Sequence, residues 1–122
     1  MDHQNRDRIR LGRDGENAAV RYLEQKKFRV IVRGYRWHRG EIDVIAWDGE
    51  TLVFAEVKTR ADDDFGVPEA SVTPAKRRQI RRVALAYLVE NRLESVPCRF
   101  DVLAVEFDGS GRPVVRHLPN AF

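Results

Sequence analysis

Two apolar runs of β character meet across Asp48-Gly49, and this juncture restricts the chain more than any other part of it. Glu41-Ile-Asp-Val-Ile-Ala-Trp47 and Thr51-Leu-Val-Phe-Ala-Glu-Val-Lys58 are rich in β-branched and aromatic residues. An Asp-Gly pair between two such runs is a strong hairpin signal. The second run is nearly apolar on both faces until its end, as in a central strand covered from both sides. Covering layers must therefore come from the rest of the chain. With 122 residues, 43% of them hydrophobic, the chain has material for one domain and one core.

The flanking segments read as that cover. Residues 1–12 are basic and lack any period, which predicts a flexible arm ahead of a single domain over 13–122. A helix is expected from about Asp14, a plausible N-cap, to Lys26, with Glu16 on the same face as Ala19, Val20 and Leu23. Phe28 to Arg33 reads as a strand, and Gly34 to Gly40 as a basic, aromatic connection to the hairpin. Thr59 to Val72 carries three consecutive aspartates, a glycine and a proline, and reads as a long loop able to act as a lid. Thr73 and Pro74 look like an N-cap and first helical residue. That helix runs to about Asn91, with Ile80, Val83, Ala84, Tyr87 and Leu88 facing inward and Arg77, Arg78, Arg81 and Arg82 on its other side. Cys98–Phe107 and Pro113–Leu118 are two further strands. The expected class is α/β: order α-β-β-β-α-β-β, a mixed sheet with a helix on each side.

Several functional classes drop out. No apolar run approaches the roughly 18 residues of a membrane-spanning helix, and the arginine-rich start has no apolar stretch of a secretory signal. One cysteine, Cys98, excludes an internal disulfide and a multi-cysteine zinc site. A cytoplasmic protein without membrane partners is the expectation. The net charge of +3 is too small to argue for a nucleic-acid partner unaided, so the placement of the charges decides.

Alternation puts Leu52, Phe54, Glu56 and Lys58 on one side of their strand and Glu41, Asp43, Ile45 and Trp47 on one side of the other. If Trp47 pairs with Leu52, Asp43 lies opposite Glu56; if only Asp48-Gly49 turn, the two acids are diagonal neighbours. Either register keeps both carboxylates on one face, where they repel within apolar strands. Taken singly, these residues would read as a solvated strand end, with Asp43 paired to an arginine. Together they call for a neutraliser, and Mg²⁺ is commonly held by one or two carboxylates plus waters and phosphate oxygens. Lys58, on the same face, reaches a phosphate or a water near such an ion. It should stay protonated beside the acids, which suits charge stabilisation and water positioning better than general base duty.

An acid on one hairpin strand followed by Glu-x-Lys on the next resembles the PD-(D/E)XK nuclease core. More closely, Gly15-Glu16, Gly40-Glu-Ile-Asp43, Phe54-Ala-Glu-Val-Lys-Thr-Arg60 and Arg99-Phe-Asp-Val102 resemble the small bacterial family UPF0102, or YraN, over nearly the whole chain after the basic arm. Ile42 stands where the nominal motif has proline. The resemblance implies a restriction-endonuclease-like αβββαβ core akin to archaeal Holliday junction resolvases and tRNA-endonuclease-like domains. It implies Asp43 and Glu56 as ligands of Mg²⁺ or Mn²⁺, with the Val57 carbonyl a further ligand. Lys58 would be the catalytic lysine and Glu16 the first-helix acid of the resolvase branch.

The expected activity is endonucleolytic hydrolysis of DNA, branched or junction DNA included, in repair or recombination. A catalytically silent nucleic-acid-binding module of the same fold is the alternative. RNA is the alternative substrate, since nothing here reads a 2′-hydroxyl. A two-fold symmetric junction would suit a homodimer. Arg36, Arg39, Arg60, Lys76 and Arg77 are the candidate contacts to the phosphate backbone, which supply affinity without sequence specificity. Lys76 stands out because it shares the inward helix face near free N–H groups, with a solvent-directed side chain the equal alternative. Tyr35 and Trp37 could stack on unpaired bases or serve as core aromatics. Asp101 reads as structural, and His38 as a phosphate or solvent contact.

Overall fold

The computed structural model describes residues 3–60 and 71–122, with side chains specified for residue 7 and from residue 9 onward. Along the chain run α1 (His3–Gln25), β1 (Arg29–Trp37), β2 (Gly40–Asp48), β3 (Thr51–Thr59), α2 (Pro74–Glu90), β4 (Cys98–Phe107) and β5 (Pro113–Leu118). The expected order of elements is therefore present. The strands form one sheet in the order β1-β2-β3-β4-β5. β3 and β4 are parallel, with α2 in the crossover between them, and every other neighbour is antiparallel. The result is an α/β fold with a mixed sheet, compatible with a restriction-endonuclease-like core.

Each face of the sheet carries its own core. Ala18, Ala19, Val20 and Leu23 of α1 pack on Val44, Ala46, Val53, Ala55, Leu103 and Val105. Ile80, Val83, Ala84, Tyr87 and Leu88 of α2 are buried as expected, against Ile42, Ile45, Leu52, Phe54, Phe100 and Val102. β3 feeds both layers, which explains its apolar character on both faces. Fully buried side chains such as Leu52 and Phe54 each contribute about 2 kcal/mol by leaving water. Thr73 caps α2, its hydroxyl accepting the Lys76 N–H at 3.2 Å, with Pro74 at the first turn.

Two boundaries differ from the sequence expectation. α1 begins at His3, so Asp14 lies inside the helix instead of capping it, and a division at residue 12 falls within α1. Missing apolar periodicity removes a core-facing stripe; it does not remove helix propensity, and arginine-rich segments without proline retain it. β1 continues through Gly34 to Trp37, where a connection was expected. The lid expected within Thr59–Val72 lies outside the described residues, apart from the ends of that segment.

α1 approaches the sheet at Gly15, where a Cβ would overlap the Thr59 side chain at the end of β3. Glycine is unfavourable inside a helix, so its presence here reflects contact distance. Replacing Gly15 by Ala should lower stability by about 1–3 kcal/mol through overpacking. Adding Thr59→Ala should recover part of the loss, a non-additivity that denaturant titration of the single and double variants will measure.

Candidate active site

β2 and β3 pair as Trp47↔Leu52, Ala46↔Val53, Ile45↔Phe54 and Val44↔Ala55, and the ladder ends there. This is the register in which Asp43 comes opposite Glu56. At that next step the Val57 N–H donates to Asp43 Oδ2 at 2.8 Å, so a side-chain carboxylate stands where a backbone carbonyl of β2 would have served. On its other flank Asp43 also falls between ladder pairs: β1 passes from Arg33↔Val44 to Tyr35↔Ile42, and Gly34 between them has φ +66°. A left-handed residue inside a strand is a glycine position and marks a kink. Alternation in β2 breaks here, because Ile42 and Ile45 both enter the core beneath α2 while Val44 belongs to the other layer. Asp43 sits where the phase changes.

The two carboxylates meet at this opening. Glu56 is 6% exposed, and it shares a hydrogen bond with the Asp43 carboxyl. Burial, and next the Glu56 charge, push the Asp43 carboxyl up to about 7, although the Val57 N–H works in the opposite direction. Two ammonium groups face Glu56 Oε1: Lys76 Nζ at 2.9 Å and Lys58 Nζ at 3.7 Å. Lys58 departs from its expected behaviour. Burial, followed by the neighbouring Lys76, lowers its pKa despite both carboxylates. Burial also opposes the charge of Lys76, but its hydrogen bonds with Lys58 and Glu56 leave its pKa raised. Sequence reasoning weighed Lys58 against the acids alone and did not include a second lysine arriving from α2.

The remaining candidates divide by place. Glu16 accepts from Arg33 Nε at 3.0 Å and still acts electrostatically on Asp43, so α1 brings a third carboxylate to the margin of the site. Arg39 and Lys76 flank a basic depression: one groove is lined by Lys76, Arg78, Gln79 and Arg82, and the adjoining one by His38, Arg39 and the same Gln79 and Arg82. Gln79 Nε2 donates to the Arg39 carbonyl at 3.2 Å, tying the β1–β2 turn to α2. Arg36 is exposed and 3.5 Å from Glu41. Arg60 lies 3.6 Å from Glu106. Arg77 turns away from the groove, donating to the Val72 carbonyl at 2.9 Å and covering the Phe122 ring. Tyr35 is a core aromatic, edge-on to Tyr87 with its hydroxyl on Glu90. Trp37 is partly exposed beside His38.

Among the described residues no three His, Cys, Asp or Glu side chains converge as a closed cation cage. The donor set at the opening is two carboxylates and backbone oxygen, which matches a magnesium-type ion that keeps several waters. A strand residue directs its N–H and C=O to the same edge, so the Val57 carbonyl faces the side from which Asp43 takes its N–H. Asp43, Glu56 and the Val57 carbonyl are thus the groups fitted to hold such an ion. The sequence marked Gly34 only as the start of a connection, whereas it lies inside β1 with positive φ.

An aspartate titrates near 3.8 when unfolded and Asp43 near 7 here. Between those values the folded chain holds the proton more tightly, so stability declines as pH rises through that window. Asp43→Asn removes this penalty and keeps the oxygen for Val57. Thermal melts in EDTA should show it several degrees more stable than the parent at pH 8, with the gap closing near pH 4.

The family model described as "Uncharacterised protein family UPF0102" matches residues 15–105. A UPF0102 protein of Geobacter sulfurreducens is 46% identical over 112 residues, covering 92% of this chain and 88% of its own length. One from Symbiobacterium thermophilum is 47% identical over 113 residues, covering 93% and 96%. A third, from Prosthecochloris aestuarii, is 48% identical over 117 residues, covering 92% of each.

Proposed function

The chain belongs to the UPF0102 family, and we propose that it is a metal-dependent nuclease that hydrolyses phosphodiester bonds in DNA, with branched DNA among its substrates. The observation that carries this reading is the convergence of Asp43 and Glu56 where the pairing of β2 with β3 stops, with burial and the neighbouring carboxylate raising the Asp43 pKa. Mg²⁺ or Mn²⁺ bound there would polarise the scissile phosphate and lower the pKa of a bound water. The protein's own groups do the rest. Lys58, partly buried with its ammonium 3.7 Å from Glu56 Oε1, positions the attacking water and stabilises the charge that develops on the phosphate. The Val57 N–H fixes the Asp43 carboxylate, so its second oxygen is aimed without rotamer search. Glu16 adds negative field at the margin. Arg39, Arg78 and Arg82 flank the approach and supply salt-sensitive contacts to phosphates.

One observation favours a second reading, a non-catalytic nucleic-acid-binding module. Glu56 is already neutralised by two lysines, so binding of a phosphate strand need not involve a metal ion. This reading requires salt-sensitive DNA binding that EDTA leaves unchanged.

Branched and linear DNA incubated with the purified chain in Mn²⁺ or Mg²⁺ will separate the two. Cleavage should occur with metal and stop in EDTA, and Lys58→Ala should slow it by about a hundredfold or more. Equal cleavage by parent and variant would remove Lys58 from the mechanism. Binding without cleavage by the parent would favour the silent module.

A further inference from the structure

Lys76 belongs to two places at once. Its ammonium is 2.9 Å from Glu56 Oε1, closer than that of Lys58 at 3.7 Å, and its side chain also lines the open basic groove with Arg78, Gln79 and Arg82. Its exposure of 37% against 6% for Glu56 places it at the mouth of the site, reaching in. We propose that Lys76 and the divalent cation are alternative partners of Glu56, so that cation and phosphodiester enter the site as a pair. This inference rests on the nuclease reading above and assigns Lys76 a role within it.

The charges give the reason. With all four groups ionised, Asp43, Glu56, Lys58 and Lys76 cancel one another. A divalent ion added alone leaves the pocket strongly positive and competes with an ammonium already in contact with Glu56. Once displaced, that ammonium needs an anion, and the groove it lines is where a strand's phosphate would lie. One phosphate oxygen shared between cation and Lys76 relieves both excesses. Nucleic acid should therefore tighten metal binding, and metal should tighten nucleic-acid binding by the same factor. A lysine suits this exchange because its long stem swings between two partners only ångströms apart.

The test is Mn²⁺ binding to the full chain at pH 8, followed by the electron paramagnetic resonance of free ion, with and without a phosphorothioate oligonucleotide that resists cleavage. Lys76→Met and Lys76→Gln, both at a position 37% exposed, should bind Mn²⁺ about tenfold more tightly than the parent when no oligonucleotide is present. The oligonucleotide should tighten Mn²⁺ binding to the parent severalfold and to the variants much less. Lys58→Met should produce a smaller gain, given its longer distance. Equal Mn²⁺ affinity in parent and Lys76 variants, or weaker binding by the variants, would overturn the proposal while leaving the metal site standing. Absence of Mn²⁺ binding in every protein, with or without oligonucleotide, would overturn the nuclease reading and this proposal with it.

Discussion

The contact between the Val57 N–H and the Asp43 carboxylate decides what this sheet can do. A central antiparallel pair normally satisfies its backbone by continuing the ladder. Here the pairing of β2 with β3 stops at Val44, short of Asp43, and the donor left on β3 is met by a side chain. An N–H buried without an acceptor would cost a few kcal/mol, so the carboxylate is held where it is by the same bond that completes the sheet. Gly34, with positive φ, lies beside Asp43 on the β1 flank, and Glu56 lies beside the opening on the adjoining strand. Fold completion and placement of the acids are one event.

That linkage explains why the architecture was legible in outline. Asp48-Gly49 between two apolar runs fixed the hairpin, and either register left Asp43 and Glu56 on a common face. Thr73-Pro74 announced α2, and its apolar positions from Ile80 to Leu88 announced the buried side. What escaped was of another kind. Gly34 looked like the end of a strand because glycine is scarce in strands; whether it ends or kinks one depends on the partner strand, which local pattern does not contain. Residues 3–12 read as part of a flexible arm because amphipathic period measures what a helix buries and not whether it forms.

Charge was the least legible layer. Asp43, Glu56 and Lys58 come from one hairpin, so their proximity follows from alternation. Lys76 is eighteen residues beyond Lys58 in sequence, and it meets Glu56 only because α2 crosses over the sheet on its way from β3 to β4. Burial lowers the Lys58 pKa, and the arrival of Lys76 lowers it further. Arg77, next to it in sequence, shows the converse: one helical step turns it from the groove to the Val72 carbonyl and the Phe122 ring. Clustered arginines in sequence are thus divided in space between packing and the basic groove.

Asp101 supplies the contrast that separates structure from function within one sheet. It is wholly buried, more so than Asp43, yet its pKa is lowered: burial works against its charge, but bonds from His117, Arg99 and the Asn120 N–H outweigh it. Each of its oxygens has two partners, at distances from 2.7 to 3.2 Å when the closest Arg99 contacts are taken. Those bonds close the C-terminal segment over the sheet, where Phe122 stacks on Phe100. Among the described residues Asp43 has one backbone N–H and a carboxylate neighbour, and its charge is left costly. Burial alone would rank Asp101 as the more unusual acid, and the described donors around each reverse that ranking, because the cost of a buried charge is set by the bonds that offset it.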